Sequence, residues 1–426
     1  MKFVPFALVA SVFVPASFAA EFPANQLFVA TKSGNSVVGF EPTSAAPFYA
    51  ASGLAAFGQP PGDVAFGPDG RMYVSSGTAV RVFDPAGTLL DTITGGGLIG
   101  ASGLAFGPGG DLFVVSNVND LVIRFKHNGT AWQFRSSFEA IASDPHGIAI
   151  DPAGSVWVSD SANGKLYEFD EAGTPVRSFS TGNAADQPHG IAFGPFGHLY
   201  VAMASSVAGE FSHVDRVFEF ISTGVKVNEY GAGSGLDHPH FLAFGPNGNL
   251  FVTSNTSGEV FEFDRTTHAK VTQFGAGSLN FAEGLAFVPQ RFKATLTGKL
   301  AADNSAVHTQ KEKVVLNIAP GSRTMSVLFT DVDANGEGYF AHFFQTALVT
   351  HGFESAEDDD ARVRVFGGAQ TENFVAGVGS ISLTLKGKID AFGDFNVKHA
   401  IGAVSRHGAS GGYSAAIDVL KPLNAP

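Results

Sequence analysis

The chain has 426 residues, with 26 Lys+Arg against 39 Asp+Glu, a net charge of −13 and no cysteine. Without cysteine there is no disulfide framework, no thiolate-held zinc or iron–sulfur site and no thiol nucleophile. The acidic excess falls in residues 20–290, which carry 12 basic and 25 acidic side chains, so no basic face is offered to phosphate and no nucleic-acid partner is expected.

Taken in chain order, Lys2 precedes an apolar run over 3–14, and Ser17 and Ala19 are small residues suited to cleavage after Ala19. Residues 1–19 therefore read as a signal peptide. No later segment approaches the ~20 apolar residues of a membrane-spanning helix. The expectation is a secreted or periplasmic protein with no membrane span.

A repeat organises the chain from residue 26 to residue 289. Gly103-Leu104-Ala105-Phe106-Gly107-Pro108-Gly109-Gly110 recurs with copies starting at Asp63, Gly147, Gly190 and Phe241, and a half copy starts at Gly284. The unit beginning at Gly190 is the long one, with its extra residues in 204–215. Each unit reads as four short strands: an apolar strand, a Pro-x-Gly turn, an alternating strand such as Val156-Trp157-Val158-Ser159, an Asn-Gly-type turn, and two more strands. Units of ~40–45 residues built this way stack radially as propeller blades. Residues 26–57 hold only the later strands (27–30, 37–40 and 48–51), while 284–289 hold only a first strand. The two ends complement each other, so five complete units and one composite predict six blades over residues 20–290.

The run from Trp157 to Asp170, with Ser159-Asp160-Ser161-Ala162-Asn163-Gly164 at its centre, resembles the core of an NHL repeat, and the resemblance extends over about 26–289. It implies a six-bladed β-propeller, a fold that serves scaffolds, binders and enzymes alike.

In such blades the innermost strands begin at one face, away from the Gly-Pro-x-Gly turns. The residues just before each repeat's opening position are Glu283, Gly62, Ser102, His146, His189 and His240. His146, His189, His240 and Glu283 thus form a contiguous arc around the channel, with Asp144, Asp186, Asp237 and His238 beside it. Three imidazoles and a carboxylate suit zinc or another divalent transition metal with an open position. Calcium prefers an all-oxygen set. The alternative is duplication of a Pro-His-Gly entry turn whose imidazoles hydrogen-bond to carbonyls.

Pro145-His146-Gly147, Pro188-His189-Gly190 and Pro239-His240-Phe241 resemble the Pro-His segments that supply zinc ligands in peptidylglycine amidating lyases, which share the six-bladed fold. The chain departs from that family in placing the histidines on consecutive blades, in having no counterpart of its catalytic tyrosine, in offering at best Lys32 for its arginine, and in lacking disulfides.

The leading expectation is a propeller that binds a small-molecule, peptide or carbohydrate ligand, or a protein partner, at a His-lined mouth with a divalent metal, zinc foremost. A second is a metal-dependent lyase or hydrolase, amidating-lyase-like or lactonase-like, with Glu283 as fourth ligand or general base and Lys32 or His213 steadying substrate charge. A third is a non-catalytic scaffold.

From residue 291 the repeat stops. Alternation over 293–300, 313–318, 325–330, 339–344, 362–366, 380–389 and 413–419 predicts a second, smaller all-β domain over 291–426, sandwich-like. Asp331-Val332-Asp333-Ala334-Asn335-Gly336 is expected to be a hairpin turn rather than a calcium loop, because His342 stands where an EF-hand needs glutamate.

Overall fold

A computed structural model describes Phe22 and residues 25–289, except 42–46, 52–58, 206–214 and a few turn positions. For 47–51 and the strands between 290 and 422 it describes the backbone alone. The expected signal peptide and His213 lie outside the described residues.

Residues 27–287 form six four-stranded antiparallel sheets arranged as a β-propeller. Blade one is Pro61–Phe66, Met72–Ser76, Ala79–Phe83 and Leu89–Thr94, from the innermost strand outward. Blades two to five occupy 101–139, 145–180, 186–230 and 239–274. Blade six is composite: Ala282–Phe287 pairs antiparallel with Leu27–Thr31, followed by Ser36–Phe40 and Pro47–Ala51. The ends of the propeller sequence thus hydrogen-bond within one blade, which leaves no open seam.

The same inter-blade contact runs round the ring. The motif's phenylalanine at the end of each innermost strand meets an aromatic near the start of the preceding blade's second strand. Tyr73 meets Phe106 at 4.9 Å, Tyr200 meets Phe244 at 4.8 Å and Phe251 meets Phe287 at 4.9 Å between ring centroids. Phe28 closes the circle on Phe66 at 5.5 Å. Blade three receives Ile150 instead, which packs in one cluster with Phe113. Edge-to-face aromatic pairs contribute ~0.5–1.5 kcal/mol each beyond the area they bury. The core is therefore a set of clusters between neighbouring blades rather than a single central mass.

Glycine is required where blades crowd the channel. A Cβ on Gly147 would lie 2.3 Å from the His189 carbonyl oxygen, and one on Gly190 would lie 2.6 Å from that of His240. The hydroxyls of second-strand residues tie the same ring together. Ser159 Oγ accepts from the Gly147 N–H at 2.8 Å and donates to the His189 carbonyl at 2.5 Å. Ser75 bridges Asp63 and Ser102 in the same way.

Strands Gln290–Ala302 through Gly412–Pro422 pair in a single nine-stranded antiparallel sheet. The division into two facing sheets that a sandwich needs is not shown. Phe395–His407, absent from the expected strands, pairs with both Val378–Ile389 and Gly412–Pro422. Part of the Asp331–Gly336 motif lies outside the described residues; the strands flanking it pair antiparallel through Val332 and Tyr339. Among the described residues no helix is long and apolar enough to cross a membrane.

Candidate functional site

His146, His189 and His240 each occupy the same place in successive blades, on innermost strands Pro145–Ile150, Asp186–Phe193 and Pro239–Phe244. At each the pairing register slips, between Pro145 and Ile148, Pro188 and Ile191, and Pro239 and Leu242. Such a bulge takes the His and its successor out of the regular ladder and re-aims the side chain. Proline, which lacks an N–H, stands at the start of each irregularity.

The three imidazoles converge. One ligand atom from each lies within 4.8 Å of the others. His146 and His189 are stacked with centroids 4.5 Å apart, and His240 lies 4.5 Å from His189 and 5.5 Å from His146. His238, left-handed at φ 52°, adds a fourth ring 5.2 Å from His189. Burial holds the His146, His189 and His240 imidazoles below the ordinary histidine range, His189 and His240 furthest, and neighbouring positive charge adds to the effect for those two. They are therefore neutral at pH 7, the state in which imidazole ligates a metal.

Glu283, from the innermost strand of blade six, is 1% exposed. Burial raises its pKa, and Lys32 opposes the rise. Its Oε1 lies 2.6 Å from Lys32 Nζ and accepts from Asn255 Nδ2 at 3.0 Å. Its Oε2 lies 2.7 Å from His240 Nδ1, though out of line for a hydrogen bond. The carboxylate is thus held by Lys32 and Asn255, with His240 Nδ1 beside it, and stands outside the three-histidine cluster. Lys32, the residue after Leu27–Thr31, is half-exposed on the same side.

The hydrogen bonds to carbonyls that a purely duplicated turn would supply are not found at two positions. The Nδ1 of His189 is buried without a hydrogen-bond partner, and that of His240 has only the out-of-line Glu283 carboxylate at 2.7 Å. An unpartnered buried polar atom costs about 1–3 kcal/mol. His146 differs: its Nδ1 is 3.5 Å from Ser102 Oγ and its Nε2 is 3.7 Å from Asp144 Oδ1. Asp144 is held by Asn117 and Ser161.

Two residues that sequence reasoning did not single out complete the site. Asn255 anchors Glu283 from blade five and carried no spacing signal. Asp63 was legible, because it stands where four of the other five copies open with glycine. It is buried beside blade six, accepts from the Val64 and Leu104 N–H groups, and burial pushes its pKa up to about 7.

Comparison with known proteins agrees with the fold. Residues 8–205, less than half of the chain, match the family model described as SMP-30/Gluconolactonase/LRE-like region. No curated protein matches the chain. Among solved structures, a protein of unknown function from Bacteroides caccae has 16% identity over 62% of this chain and 98% of its own, with a TM-score of 0.50. The nidogen/laminin complex structure has 18% identity over 62% and 98%, with a TM-score of 0.49. Virginiamycin B lyase from Staphylococcus aureus has 11% identity over 71% and 90%, with a TM-score of 0.42. The likeness at a TM-score of 0.50, at 16% identity, speaks to fold alone.

Proposed function

We propose that His146, His189 and His240 hold a divalent transition metal, zinc foremost, at the propeller mouth, and that the protein binds its ligand there. The observation that carries this reading is the convergence of three neutral imidazoles, one ligand atom from each within 4.8 Å of the others, with the buried Nδ1 of His189 left unpartnered. Three nitrogen donors with a fourth position open is the donor set of a ligand-accessible zinc site. Ligands about 2.0–2.1 Å from a tetrahedral ion sit about 3.4 Å from one another. The cluster spans up to 4.8 Å, so the rings need draw in by only about 1 Å.

In this reading Glu283 orients rather than ligates. Clamped by Lys32 and Asn255, it faces Nδ1 of His240 and so favours the tautomer whose Nε2 is free to bind the ion. A bound ion would supply Lewis acidity. A buried carboxylate beside such a site favours a lyase or hydrolase over an inert scaffold. The apolar run at 3–14 supports a location outside the cytoplasm.

Elemental analysis of the purified mature protein, beside a His146→Ala/His189→Ala double variant, tests the proposal. The expected result is near-stoichiometric zinc, manganese, iron or nickel in the wild type and loss in the variant. A wild type that stays metal-free after incubation with zinc refutes it.

A further inference from the structure

The seam between blades three and four is the loosest of the aromatic seams. Trp157 and Phe193 meet there at 6.1 Å between ring centroids, against 4.8 to 5.5 Å at the others. Beside them is a cavity of about 130 Å³, lined by Asp151, Trp157, Phe179, Phe193, Leu199 and Ile221 among others. Asp151 follows strand Pro145–Ile150 and Ile221 follows Arg216–Phe220, so the cavity lies at the face opposite the histidines, which stand where innermost strands begin. Phe179, Phe193 and Ile221 are half-buried, and the cavity reaches the surface between them.

One polar atom of this wall is left without a partner. Trp157 is 3% exposed, and its indole Nε1 is buried with no hydrogen bond. The same place in blade one holds Tyr73, whose hydroxyl donates to Asp69 Oδ2 at 2.9 Å. Blade three has no such answer within the chain, and an orphaned buried donor calls for a partner from outside it. The wall offers no unpaired positive charge that would select an anion: Arg177 lies over the Trp157 ring at 5.1 Å and gives its Nε to Glu168. Asp151 Oδ1 accepts from the Ser155 N–H at 2.8 Å, and a carboxylate has further acceptor capacity. Donor and acceptor on one wall suit a ligand group that both accepts and donates, a hydroxyl. The four apolar side chains suit a hydrocarbon ring, and an apolar cavity of ~150 Å³ is enough to hold benzene.

We infer that this cavity binds a small neutral phenol. The ring lies among Phe179, Phe193, Leu199 and Ile221, the phenol oxygen accepts from Trp157 Nε1–H, and its proton is directed to Asp151. The site is separate from the proposed metal site and does not depend on it.

The test is calorimetric titration of the mature protein with phenol and with toluene, which has nearly the same shape and no hydroxyl. The wild type is expected to bind phenol saturably at one site. In Trp157→Phe the affinity for phenol relative to toluene should fall about 2- to 10-fold, the loss of one neutral hydrogen bond. Phenylalanine already stands at this position in blades two, five and six, as Phe113, Phe251 and Phe28, so the variant should fold, as unchanged Trp132 emission would verify. Ile221→Phe, which adds bulk at the rim, should lose both ligands. No saturable heat with phenol in the wild type, as for a cavity that holds only water, overturns the inference. A phenol-to-toluene ratio unchanged in Trp157→Phe, or undiminished binding in Ile221→Phe, overturns it as well.

Discussion

Replacing Asp63 by asparagine should change how the propeller's stability depends on pH. Asp63 stands where four other blades carry glycine, and its Oδ1 lies against Gly284 of blade six, where a Cβ would come within 2.0 Å of it. Burial pushes its pKa up to about 7 against the Leu104 and Val64 N–H groups, with Glu283 adding to the rise, from an ordinary value of 3.8. The folded protein therefore keeps this proton over a pH interval in which the unfolded chain has released it. The stabilisation is complete below about pH 4 and is lost as pH rises to 7. About three pH units at 1.36 kcal/mol each gives an effect of order 4 kcal/mol. Asparagine does not titrate, and it turns an amide N–H₂ towards one of the two backbone donors, a constant cost of about 1–3 kcal/mol. Wild type should thus be the more stable protein near pH 4.5 and lose that advantage by pH 7.5. Urea unfolding followed by tryptophan emission is the assay, because Trp132 and Trp157, the chain's two tryptophans, both lie in the propeller. The buried histidines, with lowered pKa values, lose stability in the opposite direction, as pH falls below about 6.5. They are common to both proteins and cancel in the difference. A difference that stays constant within about 0.5 kcal/mol from pH 4.5 to 7.5 would show that Asp63 is ionised in the folded state and the reasoning is wrong.

The geometry sets two further outcomes. Gly147→Ala should destabilise the propeller by about 3 kcal/mol, because its Cβ would meet the backbone oxygen of His189 at 2.3 Å, and a wild-type denaturation midpoint would contradict the crowding argument. Glu283→Gln and Lys32→Met should each weaken zinc binding about 10- to 100-fold in a chelator competition without abolishing it. Complete loss in Glu283→Gln would instead make Glu283 a ligand, and unchanged affinity would remove it from the site.

What could be read in the sequence was local. The Gly-x-Ala-Phe-Gly-Pro-x-Gly copies marked each innermost strand, because turn chemistry and period-two alternation act within a few residues. The complementary halves at 26–57 and 284–289 announced blade six. The spacing of Pro145-His146, Pro188-His189 and Pro239-His240 placed the imidazoles on one arc, since equivalent positions in a ring of like blades are neighbours. Even so, the strand at Phe395–His407 was missed, and the single sheet formed by strands between 290 and 422 was not foreseen. Pairing partners there are chosen between strands, and alternation within one strand does not name its neighbour.

The site's chemistry was decided only by tertiary structure. Lys32 and Glu283 come from opposite ends of the propeller sequence and meet because blade six is assembled from both. Asn255 reaches Glu283 across a blade boundary, and the Asp63 pKa is raised by burial that no sequence pattern expresses. The chain by itself determined a six-bladed ring with histidines at its mouth, because repeats and turns are written residue by residue. Which of those histidines would be left without partners, and which carboxylate would face them, depended on desolvation and on contacts between blades, and these exist only once the ring has closed.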